Sequence, residues 1–97
     1  MNSREVGRKG EDIACRYLLN EGYRIIQRNW FCYAGELDVI CRDSDNSLAL
    51  IEVKFSQNNE NILPEEMFTE KKKRKLKRTI GIYISIHNFI EYRIDLI

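Results

Sequence analysis

The sequence predicts an α/β domain built on a small mixed sheet, and three patterns predict it. Apolar residues recur at helical spacing near the amino terminus and again after Thr69. Between these stretches lie short apolar runs separated by turn-forming residues, which read as strands. The closing segment from Ile90 to Ile97 alternates as a further strand. The expected order is α-β-β-β-α-β, a central mixed sheet flanked by helices. A chain of 97 residues suits one domain with one core, spanning 1–97.

From Ser3 to about Glu21, Val6, Ile13, Ala14, Tyr17 and Leu18 recur as one helical face, and Gly22 supplies a stop. At ~100° per residue, Glu11 falls at the margin of that face near Leu18, while Asp12 points to solvent. Tyr23 to Trp30 is the expected first strand, carrying Tyr23, Ile25 and Ile26. Leu37 to Cys41 and Leu48 to Phe55 are the second and third, joined by the turn formers from Asp43 to Ser47. Ser56 to Glu66 is polar, holds the one proline (Pro64), and reads as a loop.

Thr69 is a candidate cap for a second helix with Leu76, Ile80, Tyr83, Ile84 and His87 on one face. Ile80, Ile82, Ile84 and Ile86 also alternate, and Gly81 weakens a helix, so a strand is the alternative there. Helix is the preferred reading. In the last strand Tyr92, Ile94 and Leu96 share a face. There are no internal repeats and no separate linker.

Sixteen basic residues balance 15 acidic ones, so net charge alone indicates no partner. Their distribution says more. Lys71 to Arg78 is a basic block, whereas acids gather from Glu36 to Asp45, at Glu52, and from Glu60 to Glu70. Such separation suits a polyanion held near a metal site. Three cysteines, Cys15, Cys32 and Cys41, without Cys-x-x-Cys spacing, read as reduced thiols of a cytoplasmic protein, with Cys32 and Cys41 filling core space. No apolar run approaches the ~18 to 20 residues that span a bilayer, and no signal-peptide core is visible, so no membrane partner is expected.

The chemistry concentrates in Gly35-Glu36-Leu37-Asp38-Val39-Ile40 and Leu48-Ala49-Leu50-Ile51-Glu52-Val53-Lys54. Charges inside an apolar strand are costly unless paired, hydrated at an edge or bound to a metal. Period two puts Glu52 and Lys54 on one face, with Ile51, Val53 and Phe55 on the other. If the two strands form a hairpin, Asp38 lies beside Glu52. Two carboxylates and an ammonium then suit a divalent ion meeting a phosphate. The plain alternative is an edge ion pair of Lys54 with Glu52 or Asp38, worth ~0 to 1 kcal/mol.

These motifs, together with Gly7-Arg8-Lys9-Gly10-Glu11-Asp12-Ile13-Ala14, Tyr17-Leu18, Gly22-Tyr23, Arg28-Asn29-Trp30, the spaced Thr69, Lys72 and Leu76, and Arg93-Ile94-Asp95, resemble the YraN family of bacterial proteins over nearly the whole chain. The resemblance implies a restriction-endonuclease-like fold, similar to archaeal Holliday-junction resolvases, and a metal-dependent nuclease. It implies a site of Glu11, Asp38, Glu52 and Lys54, with Asp38, Glu52 and Glu11 around Mg²⁺ or Mn²⁺. The implied partner is nucleic acid, DNA foremost, and a homodimer would address a branched junction with two sites. A non-catalytic nucleic-acid-binding module with the same fold is the alternative. Two departures stand out: Phe55-Ser56-Gln57 replaces a Thr-Arg-like continuation, and the chain stops at Ile97 where family members run on.

Other residues carry two readings each. Glu36 is either an outer ligand or an exposed turn carboxylate. Lys72 and Lys73 project from the side of Leu76 and Ile80, which suits phosphate contacts. Arg8 either meets phosphate at a helix start or pairs with a surface acid such as Asp12. Trp30 and Tyr33 are candidates for stacking on an unpaired base, although core packing is the simpler reading of Trp30. His87 reads as a packed or surface histidine rather than a general base.

Overall fold

The computed structural model describes residues 3–53, 69–88 and 91–97, with side chains from residue 8 onward. The side chain of Val6, Lys54, Phe55, the loop expected over 56–66 with Pro64, and Ile90 lie outside the described residues. The chain runs α1 (Ser3–Asn20), β1 (Arg24–Cys32), β2 (Gly35–Arg42), β3 (Leu48–Glu52), α2 (Glu70–His87) and β4 (Arg93–Leu96). The strands form one sheet in the order β1-β2-β3-β4, antiparallel except for the parallel β3–β4 pair. This is the expected α/β architecture with a mixed sheet. A parallel pair needs a crossover, and α2 lies within the one that joins β3 to β4.

Local chemistry explains the helix ends. Gly22 takes φ 88, so the amides of Gly22 and Tyr23 turn back to the carbonyls of Leu19 and Leu18 at 3.1 and 2.9 Å. That is the double bond of a glycine C-terminal motif. Thr69 caps α2 by accepting from the Lys72 amide at 3.3 Å, and Asn88 closes it in the left-handed region at φ 58. The helix reading of residues 80–86 therefore holds. Leu76, Ile80 and Tyr83, at helical spacing, are buried, whereas Ile86 is exposed. Gly81 sits on the exposed side with open space where a side chain would be, so its penalty is only the intrinsic one of about 1 kcal/mol.

The sheet is covered on both faces. Cys15 and Leu18 of α1 pack on Val39, Cys41, Ala49 and Ile51, with Tyr23 and Ile25 at the margin. Leu76, Ile80 and Tyr83 of α2 pack on Leu37, Ile40, Leu48 and Leu50. Trp30 packs against this second cluster, its ring meeting Tyr83 edge-on at 5.1 Å, a contact worth about 0.5–1.5 kcal/mol beyond burial. The exposed His87 ring also meets Tyr83, with ring centres 4.3 Å apart. Four expectations need adjustment. Ile13 and Tyr17 are exposed, so Ala14, Cys15 and Leu18 carry the buried face of α1. Cys32 is half-buried and belongs to neither cluster, so Cys15 and Cys41 are the core thiols. Burial pushes the Cys41 thiol up to about 11. Tyr92 and Leu96 are exposed, so in β4 only Ile94 reaches the core, as befits an edge strand. Strand β1 starts at Arg24 and runs on to Cys32 rather than ending at Trp30, because it closes on β2 through the two residues Tyr33 and Ala34.

Arg93 ties the far end of the sheet together. It donates to Asp43 in the β2–β3 turn, to Asp95 at 2.9 Å and to the Tyr23 hydroxyl at 3.0 Å. Asp43 also accepts from the amides of Asp45 and Ser47, each at 2.9 Å. The Arg93 guanidinium, then the Ser47 amide, hold the Asp43 carboxyl below its ordinary value. A carboxyl depressed in the folded state stabilises above its unfolded value, near 4, and that contribution disappears as pH falls through the folded value. Asp43→Asn is therefore expected to lower stability at pH 7, with the difference from wild type shrinking as pH falls below about 4, in urea unfolding followed by circular dichroism. A constant difference across that range would contradict this role for Asp43.

Candidate metal centre

The carboxylates of interest converge where β2 begins and β3 ends. Oxygens of Glu11 on α1 and of Glu36 and Asp38 on β2 lie within 4.8 Å of one another. Glu52 comes from β3. Val39 pairs with Ile51, so one further step of the same register brings Asp38 beside Glu52, as the hairpin expectation required. The Val53 amide donates to Asp38 Oδ2 at 2.9 Å, which fixes that carboxylate across the two strands. Glu36, Asp38 and Glu52 line a cleft of about 230 Å³ whose other wall is α2, through Lys72, Lys75, Leu76 and Thr79.

An irregularity in β1 and β2 aims Asp38. Residues two apart in a regular strand share a face. Leu37 nevertheless packs with the α2 cluster and Val39 with the α1 cluster. The β1–β2 ladder passes from Arg28–Val39 to Trp30–Leu37 without pairing Asn29 to Asp38, and Asn29 adopts φ 53. The faces exchange at this step, and the strand re-aims its side chains beside the cleft.

Glu11 sits where its helical phase put it, at the margin of the α1 face and mostly shielded from water. Arg28 of β1 holds it there, with Nη2 at 3.6 Å from Glu11 Oε2 and 2.8 Å from Asp12 Oδ1. Asp12 is thus exposed yet bonded to Arg28, and Arg8 is an exposed residue of α1. Burial raises the Glu36 carboxyl above its ordinary value, and the charges of Asp38 and Glu11 raise it further. The cluster concentrates like charge that a proton or a cation would relieve.

This donor set fits a hard divalent ion. All its ligand atoms are carboxylate oxygens, Asp38 Oδ1 is left by the Val53 bond, and Mg²⁺ uses one or two carboxylates with retained water. Of the other expected site residues, Lys72 lines the cleft, whereas Lys73 lies one position round the helix and pairs with Glu70 at 3.2 Å. Lys54 lies outside the described residues. Glu36, with its two sequence readings, lies in β2 within the carboxylate cluster, and Lys75 and Thr79 are cleft residues that the sequence did not single out. A helical phase through Lys72, Lys75, Leu76 and Thr79 would have found the last two.

Fold and site together define a small α/β domain whose sheet carries a carboxylate cluster at one end, faced by a lysine-bearing helix. Residues 10–97 match the family model described as Uncharacterised protein family UPF0102. A UPF0102 protein of Carboxydothermus hydrogenoformans is 40% identical over 100 aligned positions, covering 100% of this chain and 83% of the relative. A UPF0102 protein of Clostridium botulinum (strain Loch Maree / Type A3) is 38% identical over 98, covering 98% and 79%. The chain belongs to the UPF0102 family, the YraN family. Among the described residues, no helix is long and apolar enough to cross a membrane.

The aiming of Asp38 is open to test at Asn29. A β-branched residue resists the left-handed backbone that glycine accepts freely, so Asn29→Val should lose about 1–2 kcal/mol and Asn29→Gly less than that. Chemical denaturation measures both, and equal losses would show that the Asn29 backbone is not constrained.

Proposed function

We propose that this protein is a metal-dependent nuclease that hydrolyses nucleic-acid phosphodiester bonds, DNA foremost, within a restriction-endonuclease-like fold. The observation that carries the reading is that Glu36 and Asp38, clustered with Glu11, also line with Glu52 a cleft whose other wall holds Lys72 and Lys75. Carboxylates alone suit any cation; carboxylates facing lysines across a narrow cleft suit a cation and a phosphate together. A bound Mg²⁺ or Mn²⁺ would supply a more acidic water and take up charge on the scissile phosphate.

The chain's own residues do the rest. Asp38 and Glu52, on neighbouring strands, would hold the ion, with Glu11 and Glu36 as further carboxylates beside Asp38. The Val53 amide keeps Asp38 from rotating away, and Arg28 does the same for Glu11. Lys72 and Lys75 hold the phosphate against the carboxylate wall. Lys54, two residues after Glu52, steers the attacking water by the spacing of Glu-x-Lys. Arg8 and Lys73 extend the phosphate contacts beyond the cleft. Its reduced thiols suit a cytoplasmic setting, and a symmetric dimer would present two such clefts to a branched substrate.

The second reading is a binding module that grips nucleic acid through α2 without cleaving it. The basic run from Lys71 to Arg78 favours it, because that run needs no carboxylate to bind phosphate. Cleavage of duplex, single-strand, flap and four-way-junction DNA with Mg²⁺ or Mn²⁺ separates the two. Wild type is expected to cleave at least one substrate, and Asp38→Ala to lose on the order of 100-fold or more, as groups at a reacting centre do. Salt-sensitive binding with no cleavage by wild type would leave the binding module.

A further inference from the structure

The tip of the β1–β2 hairpin carries two large aromatic side chains that the fold leaves bare. Phe31 is 76% exposed and Tyr33 83% exposed, the two most exposed large hydrophobics among the described residues. Neither position helps the core, and bare aromatic rings on a surface mark a contact site when something nearby specifies the partner. Here the neighbours do so. The Arg78 guanidinium of α2 lies 5.6 Å from the centre of the Tyr33 ring. Phe31 is the register partner of Glu36, a member of the carboxylate cluster.

Tyr33 and Gly35 join the hairpin tip to α2, while Phe31, next to the α2-facing Trp30 and paired with Glu36, stands on the other side of the same tip. A side chain added at Gly35 would meet Thr79 Oγ1 at 2.7 Å and the Lys75 stem at 3.2 Å, so only glycine lets the hairpin end dock this closely on the helix. Lys75 then continues from the docked tip into the cleft, next to Lys72 and opposite Asp38 and Glu52. Rings and cations thus follow one another from Tyr33 and Arg78 through Lys75 to the carboxylates.

We infer that this hairpin tip and the adjoining face of α2 bind an unpaired nucleic-acid strand, its bases stacked on Phe31 and Tyr33 and its phosphates on Arg78 and Lys75. The inference rests on the nucleic-acid reading above and names the substrate class as one with an unpaired strand beside the scissile bond. Aromatic side chains stack on any base whose π-face is free, and a paired duplex offers none along its length. A second copy of this chain is the competing occupant. A two-fold interface centred here would set Arg78 and Lys75 against the same residues of the other copy, like charge on like.

Fluorescence anisotropy with labelled oligonucleotides in EDTA tests binding apart from cleavage. Wild type should bind a short single strand, or a duplex with a single-stranded tail, more tightly than a blunt duplex of equal length. Phe31→Ala and Tyr33→Ala should each weaken single-strand binding about tenfold, with blunt-duplex binding changed less than about threefold. Tyr33→Trp should restore it. Blunt duplex bound as well as single strand, equal losses on both, no loss on either, or no binding of any oligonucleotide would each overturn the inference. So would a dimer, measured by light scattering, that Phe31→Ala dissociates without altering nucleic-acid binding. Absence of metal-dependent cleavage with this binding pattern intact would instead tell against the nuclease.

Discussion

Strand β2 is buried on both faces, and the rest of the molecule is arranged to cover it. Val39, Ile40 and Cys41 have essentially no exposure, so α1 must close one side and α2 the other, while β1 and β3 satisfy the two edges. A strand in that position cannot carry ionised side chains along its middle without large desolvation costs. Its acids lie outside the fully buried stretch Val39–Cys41, Glu36 and Asp38 before it and Asp43 after it. The two ends are resolved in opposite ways. At Asp43 an arginine and two amides satisfy the carboxylate, and the result is a structural clasp. At Glu36 and Asp38 the neighbouring acid is Glu11, itself held by Arg28, and the lysines of α2 stand across the cleft.

The same contrast shows in how the acids at the two ends titrate. Ion-paired acids lower their own protonation tendency, as Asp43 does, whereas Glu36 is shifted the other way by burial and by its acidic neighbours. The carboxylates of Glu11, Glu36 and Asp38 lie within 4.8 Å of one another. The supporting contacts are directed at keeping them there: Val53 on Asp38, Arg28 on Glu11, and the left-handed Asn29 at the step where the strand exchanges its faces. Reactive groups held by rigid elements and second-layer bonds are what precise chemistry needs.

Much of this was legible before any coordinates. Helical spacing placed α1 and put Glu11 at its margin, and the apolar runs with an intervening polar turn placed the β2–β3 hairpin, hence Asp38 beside Glu52. Thr69 announced α2 even though its isoleucines also alternate, because a cap and the Leu76–Ile80–Tyr83 spacing outweigh a four-residue alternation. What stayed hidden depended on register or on distance along the chain. Tyr33 and Ala34 lack turn chemistry, so the β1–β2 hairpin was invisible and Glu36 seemed to sit outside the strand. Arg28 with Asp12, and Arg93 with Asp43, join residues 16 and 50 positions apart, which no local pattern encodes. The face exchange at Asn29 and Asp38 breaks the period-two rule, and it does so at the proposed site, where local rules are expected to yield.

The central claim is that the end of β2, and not its other acidic turn, is built to hold a divalent ion. Mn²⁺ titration followed by paramagnetic broadening of backbone amide NMR signals tests it directly, with Asp43 and Asp45 as an internal comparison. The account predicts saturable broadening that begins at Glu11, Glu36, Asp38 and Glu52 and is abolished in Asp38→Asn. Broadening that begins at the Asp43–Asp45 turn, or that rises without saturation over all exposed acids, would contradict it.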